Sequence, residues 1–160
     1  MAAFIKFDGI VGECKDKDHI GWTDLASFGQ GLHQPGGGAT GATRRRGDVI
    51  LDDIACSKEL DKSSPKIAES VCNGKVYSKV EIHLTASYTD AGRVTYYAYE
   101  LKNVLVTSYS IGGSGQSEDV PMEDFSLNFE EIKVTYTECD NKGKSKGNVE
   151  YSWKVEEGEA

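Results

Sequence analysis

The sequence predicts a mainly β fold, an antiparallel β-barrel-like arrangement of two packed sheets with one short α-helix on its side. Apolar and polar residues alternate with a period of two over 76–88 and again over 148–155, as in strands that have one buried and one solvated face. Turn-forming residues at 90–92 and 140–143 separate neighbouring β-rich segments and are typical of hairpins. Consecutive hairpins favour an antiparallel sheet that is closed or nearly closed.

Short strands are predicted in the first third of the chain. Apolar residues recur there between turn-forming residues, over Ala2–Asp8, Ile20–Leu32 and Val49–Cys56. The segment 34–48 is rich in Gly and Arg and is predicted to be a long loop. Loops of this length inside compact domains are usually functional or mobile.

One helix is predicted, over 65–73. Ser64 is a suitable N-cap, Pro65 suits the first helical position, and Gly74 suits the stop. The apolar residues between them form one stripe: Ile67, Ala68, Val71 and Cys72. Because a helix this short is unstable alone, we expect it to pack on the sheet through that stripe.

The strand over 76–88 is expected to have one buried and one wet face. Its apolar residues fall on one parity: Val76, Val80, Ile82, Leu84, Ala86 and Tyr88. The other parity is mostly polar: Tyr77, Lys79, Glu81, His83, Thr85 and Ser87. On this pattern His83 is expected to be a solvated surface histidine.

Two longer strands are predicted in the second half of the chain, over 99–111 and 122–137, separated by a Gly/Ser turn at 112–117. In the second of these the apolar residues change parity, from Phe125, Leu127 and Phe129 to Ile132, Val134 and Tyr136. A phase change of one residue predicts a bulge near Glu130–Glu131.

The composition is that of one folded domain spanning 1–160. The 18 basic and 26 acidic residues give a net charge of −8, which argues against nucleic acid or an anionic membrane as a general partner. No apolar run approaches the roughly 20 residues of a membrane helix, so no membrane insertion is expected. The start of the chain lacks a basic leader followed by an apolar stretch, so by itself the sequence predicts a cytoplasmic protein without a secretory signal.

No motif indicates catalysis or a cofactor. Gly36, Gly38 and Gly41 match the G-x-G-x-x-G pattern, but neither the Lys-Ser/Thr pair of a phosphate loop nor a helix follows. Ser114 lacks the glycine spacing of a nucleophile elbow. The acidic residues of 118–124 are interpreted as a solvated turn. We therefore expect no enzyme activity.

No metal site is predicted either. The three histidines are scattered, without the spacing of metal ligands. Cys56 and Cys72 are expected to be small buried residues, whereas Cys14, flanked by Lys15 and Lys17, has the surroundings of a thiol with a lowered pKa.

Three consecutive arginines, Arg44, Arg45 and Arg46, lie in the predicted loop. They lack the interleaved aromatic residues of a nucleic-acid patch. Two interpretations stay open: a solvated loop, or a contact with acidic residues of another subunit.

Several stretches, taken together and in order, resemble the haemolysin-coregulated protein (Hcp) family, the tube proteins of bacterial type VI secretion systems. They are Phe4–Ile10, Asp61–Pro65, Tyr99–Val104, Ser108–Ser110, Glu130–Tyr136 and Trp153. The resemblance covers essentially the whole chain. Arg44–Arg46 and the four cysteines are not regarded as family features.

This resemblance implies a structural subunit. Six copies would close into a ring with a wide pore, and rings would stack into a tube. A contractile sheath would drive that tube out of the cell with a spike protein at its tip and, in some cases, effector proteins in its pore. The chain would then be cytoplasmic before assembly and secreted without a signal peptide.

Two sets of residues follow as hypotheses from that role. Arg44, Arg45, Arg46 and Asp48 would form a ring-stacking loop, because stacked rings need head-to-tail contacts. Lys79, Glu81, His83 and Thr85 would face a wet lumen. The alternatives are a small monomeric or dimeric barrel that binds a ligand or carbohydrate, and a phage-type tail-tube subunit of the same architecture.

Overall fold

The computed structural model of the chain describes residues 1–34 and 49–155. The strands are β1 (Ala2–Phe7), β2 (Thr23–Leu25), β3 (Ser27–Gly29), β4 (Leu32–His33), β5 (Ile50–Leu51), β6 (Ile54–Glu59), β7 (Val76–Tyr88), β8 (Gly92–Gly112), β9 (Met122–Asn128), β10 (Glu131–Cys139) and β11 (Ser145–Lys154). The helix α1 spans Ser64–Asn73. The predicted mainly β, antiparallel architecture with one short helix is confirmed.

The main sheet closes on itself. Its strands follow the order β2-β1-β7-β8-β9-β6-β3, and every pair is antiparallel. The amide of Ala26, between β2 and β3, donates to the carbonyl oxygen of Ser57 on β6 over 2.8 Å. That bond joins the two ends of the strand order, so the edges of the barrel are covered.

The long strand β8 pairs with three other strands of the barrel. One of its sides pairs with β7, while its other side pairs first with β10 and then with β9. Leu101, at the middle of β8, is fully buried and lies opposite Val80 and Ile132. The core therefore extends to both sides of β8. Both predicted hairpins, β7–β8 and β10–β11, are present.

The predicted strand over 122–137 is in fact two strands. β9 ends at Asn128 and β10 begins at Glu131, so the parity change marks a break between strands rather than a bulge within one. The Asn103 side chain donates to Glu130 Oε2 over 2.7 Å, and the Glu130 amide donates to the Lys102 carbonyl oxygen over 3.1 Å. Asn103 has a φ of 52°, which asparagine adopts more readily than most residues.

The parity predicted for β7 is wrong at its start. Tyr77 is buried, and Val76 is 57% exposed. Two consecutive exposed residues, Ser78 and Lys79, shift the pattern, and from Val80 to Leu84 it runs as predicted. The hydroxyl of Tyr77 bonds to Ser70 of α1, which explains why the core takes the tyrosine there.

The helix was predicted within one residue, but not the face on which it packs. Ile67, Ser64 and Ser70 are buried, whereas Val71 and Cys72 are exposed. Ser63, rather than Ser64, occupies the N-cap position and makes no side-chain capping bond. Gly74 ends the helix in the left-handed conformation with a φ of 64°.

The hairpin β10–β11 extends beyond the core. Trp153 packs against the core, but Tyr151, Val149 and the opposing Tyr136 are exposed, with Val149 at 74%. The alternation predicted for β11 is present, yet its apolar face is buried only at the Trp153 end.

Candidate functional surfaces

One face of the barrel carries almost only small side chains. Residues paired across β3, β6, β9 and β8 form two rows: Ser27, Ser57, Asp124 and Ser110 in the first, and Gly29, Ala55, Ser126 and Ser108 in the second. All eight are exposed or partly exposed. We call these two rows the hydroxyl face.

The face arises from strand alternation. In β6, Ala55 and Ser57 point outward because Ile54, Cys56 and Lys58 point into the core. In β9, Asp124 and Ser126 are exposed because Phe125 and Leu127 are buried. Four neighbouring strands with small outward residues give a nearly flat polar surface.

Hydrogen bonds between side chains hold the hydroxyl face in place. Ser57 donates to Asp124, and the hydroxyl of Ser126 lies 2.5 Å from that of Ser108 and 2.7 Å from that of Thr107. The two rows line a shallow depression of about 400 Å³. Such an open surface holds no enclosed ligand pocket and suits contact with water or with a large partner.

A second polar face is highly charged. Lys6, Glu81, Glu100 and Lys133 lie side by side across β1, β7, β8 and β10. Lys79 Nζ lies 2.7 Å from Glu81 Oε1, and this pair raises the pKa of the Lys79 amine. We call this surface the charged face; it contains part of the lumen-facing set predicted from the sequence.

That predicted set is not uniform in the structure. Lys79 and Glu81 are accessible, as expected. Thr85 is buried and its hydroxyl donates to the carbonyl oxygen of Ala2 over 3.3 Å, so it cannot line a wet surface in the folded chain. His83 was expected to be solvated, but only 24% of its side chain is exposed, and its Nδ1 lies 3.0 Å from Nε2 of His19.

The predicted stacking residues Arg44, Arg45, Arg46 and Asp48 lie outside the described residues. The same holds for Gly36, Gly38 and Gly41. Within 1–34 and 49–155 no group of three or more His, Cys, Asp or Glu side chains is arranged to hold a metal ion. In those ranges, too, no helix has the length and apolar character needed to span a membrane.

The cysteines differ from expectation at two positions. All four are free thiols. Cys56 is buried as expected, and burial raises its pKa to about 12. Cys72 is exposed, and burial raises the pKa of Cys14 above its usual range rather than lowering it.

A buried ion pair that the sequence pattern did not predict lies beneath the hydroxyl face. Lys58 on β6 and Glu123 on β9 are both fully buried, and the Lys58 amine contacts Glu123 Oε1. The amine also lies 2.8 Å from Asp61 Oδ1 and 3.1 Å from Ser64 Oγ. The acidic residues of 118–124 are therefore not all in a solvated turn.

Two hydroxyl groups complete the surroundings of Glu123. Ser64 donates to Glu123 Oε1 over 2.8 Å, and the Tyr109 hydroxyl donates to Glu123 Oε2. Burial, and then the nearby carboxylate, raise the pKa of Tyr109 to about 12. The network joins β6, β8, β9 and the start of α1, so it anchors the helix to the wall that carries the hydroxyl face.

The chain matches known proteins over most of its length. Residues 4–136 match the family model described as type VI secretion system effector, Hcp. The protein hcp1 of Pseudomonas aeruginosa is 34% identical over 153 residues, which cover 95% of this chain and 93% of that protein.

Solved structures with the same fold include a type six secretion system protein, with a TM-score of 0.90 and 23% identity over 99% of this chain and 98% of that one. Hcp1 from Salmonella typhimurium has a TM-score of 0.78 and 21% identity over 99% and 97% of the two chains.

Proposed function

The chain belongs to the Hcp family of type VI secretion system proteins, and we propose that it is the structural subunit of the secretion tube. In this proposal six copies close into a ring, rings stack into a tube, and the tube is expelled through the system with its spike by the contractile sheath. No signal peptide is then needed for secretion. The proposed partners are further copies of the chain, the spike, the sheath and effector proteins.

The hydroxyl face is the observation in the structure that best supports this role. A pore wall must stay wet and must let a folded cargo slide without adhering. The two rows across β3, β6, β9 and β8 carry no large apolar side chain, and hydrogen bonds join Ser108 to Ser126 and Ser57 to Asp124. We assign the hydroxyl face to the lumen, in place of the predicted set that included Thr85.

The ring itself is tested by molar mass. We expect light scattering to give six times the 17.4 kDa of the chain, and negative-stain images of the same fraction to show six-fold rings. A mass of one chain at high protein concentration would contradict the proposal and favour the small ligand-binding barrel instead.

The lumen assignment is tested in stacked tubes with two variants that each carry one introduced surface cysteine, while the buried Cys14 and Cys56 are kept. In a background with Cys72→Ser and Cys139→Ser, Ser110→Cys reports on the hydroxyl face and Lys79→Cys on the charged face. We expect both thiols to react with a small maleimide, and only Lys79→Cys to react rapidly with a large polymer-linked maleimide, because the polymer enters a closed tube only from its ends.

Equal reaction of both variants with the polymer would refute the lumen assignment while leaving the ring proposal intact. Slow reaction of Lys79→Cys alone would place the charged face in the lumen. Isolated rings serve as the control, because both thiols are open to the polymer there.

A further inference from the structure

The connection between β1 and β2, residues 8–22, folds back over the start of β1. Backbone bonds shape it: the amide of Gly12 donates to the Gly21 carbonyl oxygen over 2.7 Å, and that of Cys14 donates to the Trp22 carbonyl oxygen over 2.9 Å. A Cβ at Gly12 would lie 2.3 Å from the Trp22 carbonyl oxygen, so only glycine fits this approach. Phe4, Cys14 and Trp22 form a small core of their own beneath the connection.

His19 joins this connection to the barrel. Its ring is buried, stacks on Phe4 with 4.4 Å between ring centroids, and meets Trp22 edge to face at 4.8 Å. Its Nδ1 lies 2.7 Å from Asp16 Oδ2, and its Nε2 lies 3.0 Å from Nδ1 of His83 on β7. The bond between the two imidazoles is the polar link to β7 from the far end of the connection, whereas Asp8, at its start, accepts from Ser78 and donates its amide to the Lys79 carbonyl oxygen.

The geometry of that link allows a single hydrogen. At 3.0 Å one nitrogen must donate and the other must accept. The pair therefore tolerates one proton in the gap, whichever histidine carries it. If both rings are protonated, two N–H groups face each other, the hydrogen bond is lost and two positive charges are adjacent.

The charged groups around the pair already balance one another. On the connection, Asp16 faces His19 and is itself 3.5 Å from Arg93 of β8. On β7, Glu81 Oε2 lies 3.6 Å from His83 Nε2 and is shared with Lys79. Arg93 also lies over the Phe4 ring of β1. Each carboxylate is thus already paired with a cation, which leaves little to offset a second imidazolium.

We propose that the His19–His83 pair is a pH-sensitive latch, which holds residues 8–22 against β1 and β7 at neutral pH and releases them when both rings are protonated. The inference does not depend on ring formation, because every group in the latch belongs to one chain.

The shift in the pKa of His83 has the sign that the latch requires. Burial, then the charge of His19, lower the pKa of His83 below its usual range. A histidine with a lowered pKa in the fold binds fewer protons than in the unfolded chain, so the latch is fully stabilising above the usual histidine pKa near 6.5 and loses stability as the pH falls through the lowered value.

Trp22 provides an intrinsic reporter, because its ring lies 4.5 Å from His83 and 4.8 Å from His19. We expect its fluorescence in a Trp153→Phe background to change between about pH 7 and pH 5, in the range where histidine titrates. Over the same range, amide exchange at Gly12 and Cys14, corrected for intrinsic rates, should accelerate by up to about tenfold for each unit by which the fold lowers the pKa of His83.

Two variants decide the inference. Of the two pH-dependent changes, His83→Asn should abolish the acceleration of amide exchange, because asparagine keeps an acceptor for His19 but cannot titrate. His33→Asn, at an exposed histidine on β4, should leave them intact. An exchange transition that persists in His83→Asn, or no transition in the parent chain, would overturn the latch. If His83→Asn is unfolded, titration of the two ring C–H signals by NMR replaces it, and the latch then requires the His19 and His83 signals to shift together.

Discussion

Replacing Lys58 with methionine is expected to lower the free energy of unfolding by about 3–5 kcal/mol, the range observed when one partner of a buried ion pair is removed. Glu123 would keep its bonds from Ser64 and Tyr109 but would lose its cation. Water cannot replace that cation, because Glu123 and position 58 are both fully buried. A buried, unpaired carboxylate accounts for the loss.

The double variant Lys58→Met/Glu123→Met is expected to recover most of that loss, because apolar residues of similar size often replace a buried ion pair without cost. Lys66→Met is the matched control. Lys66 pairs with Glu69 on the exposed side of α1, where both side chains are more than half exposed, so its replacement should change stability by less than about 1 kcal/mol.

Urea unfolding, followed by circular dichroism at concentrations where the chain is monomeric, measures these differences, since assembly would otherwise add to the apparent stability. A Lys58→Met variant as stable as Lys66→Met would show that the network contributes nothing. A double variant less stable than either single one would show that specific polar contacts outweigh burial.

The second large effect is expected on stacking. Reversing the charge of the arginine triplet, with Arg44→Glu, Arg45→Glu and Arg46→Glu, should leave hexameric rings intact and abolish tubes. Each chain already carries a net charge of −8, so two facing rings repel unless basic groups meet acidic ones. The triplet is the longest run of basic residues in the sequence, and its reversal takes the net charge to −14.

A matched control separates local contact from total charge. Lys142→Glu, Lys144→Glu and Lys146→Glu change the net charge equally, at the β10–β11 turn. Electron microscopy of both variants at low and high salt provides the comparison. Tubes that form normally with the reversed arginines would remove the stacking hypothesis, and loss of tubes in both variants would assign the effect to net charge.

The strand pattern was predictable because alternation reflects burial directly. The same alternation also indicates that both members of the buried ion pair occupy core positions. Lys58 lies on the buried side of β6 with Ile54 and Cys56, and Glu123 lies on the buried side of β9 with Phe125 and Leu127. Two opposite charges on core positions of separate strands suggest a buried pair. The sequence alone did not indicate that the two strands are neighbours, and that pairing is what makes the assignment possible.

Other features could not be predicted from local pattern. The helix packs through Ser64, Ile67 and Ser70 because Glu123 and Tyr77 offer buried hydrogen-bond partners to its serines. The apolar stripe predicted from the sequence is the better local candidate, yet two of its residues, Val71 and Cys72, are exposed. The His19–His83 contact joins residues 64 apart in the chain, and the hydroxyl face requires the register of four strands.

The length of β8 has a mechanical consequence. Of its 21 residues, 92–105 pair with β7 on one side, and 97–102 and 105–112 pair with β10 and β9 on the other. A strand loaded along its own axis yields only when many of these bonds break together, whereas a strand peeled from one end loses them singly. A subunit loaded along that direction would therefore transmit force as a rigid body, with β8 carrying the largest share.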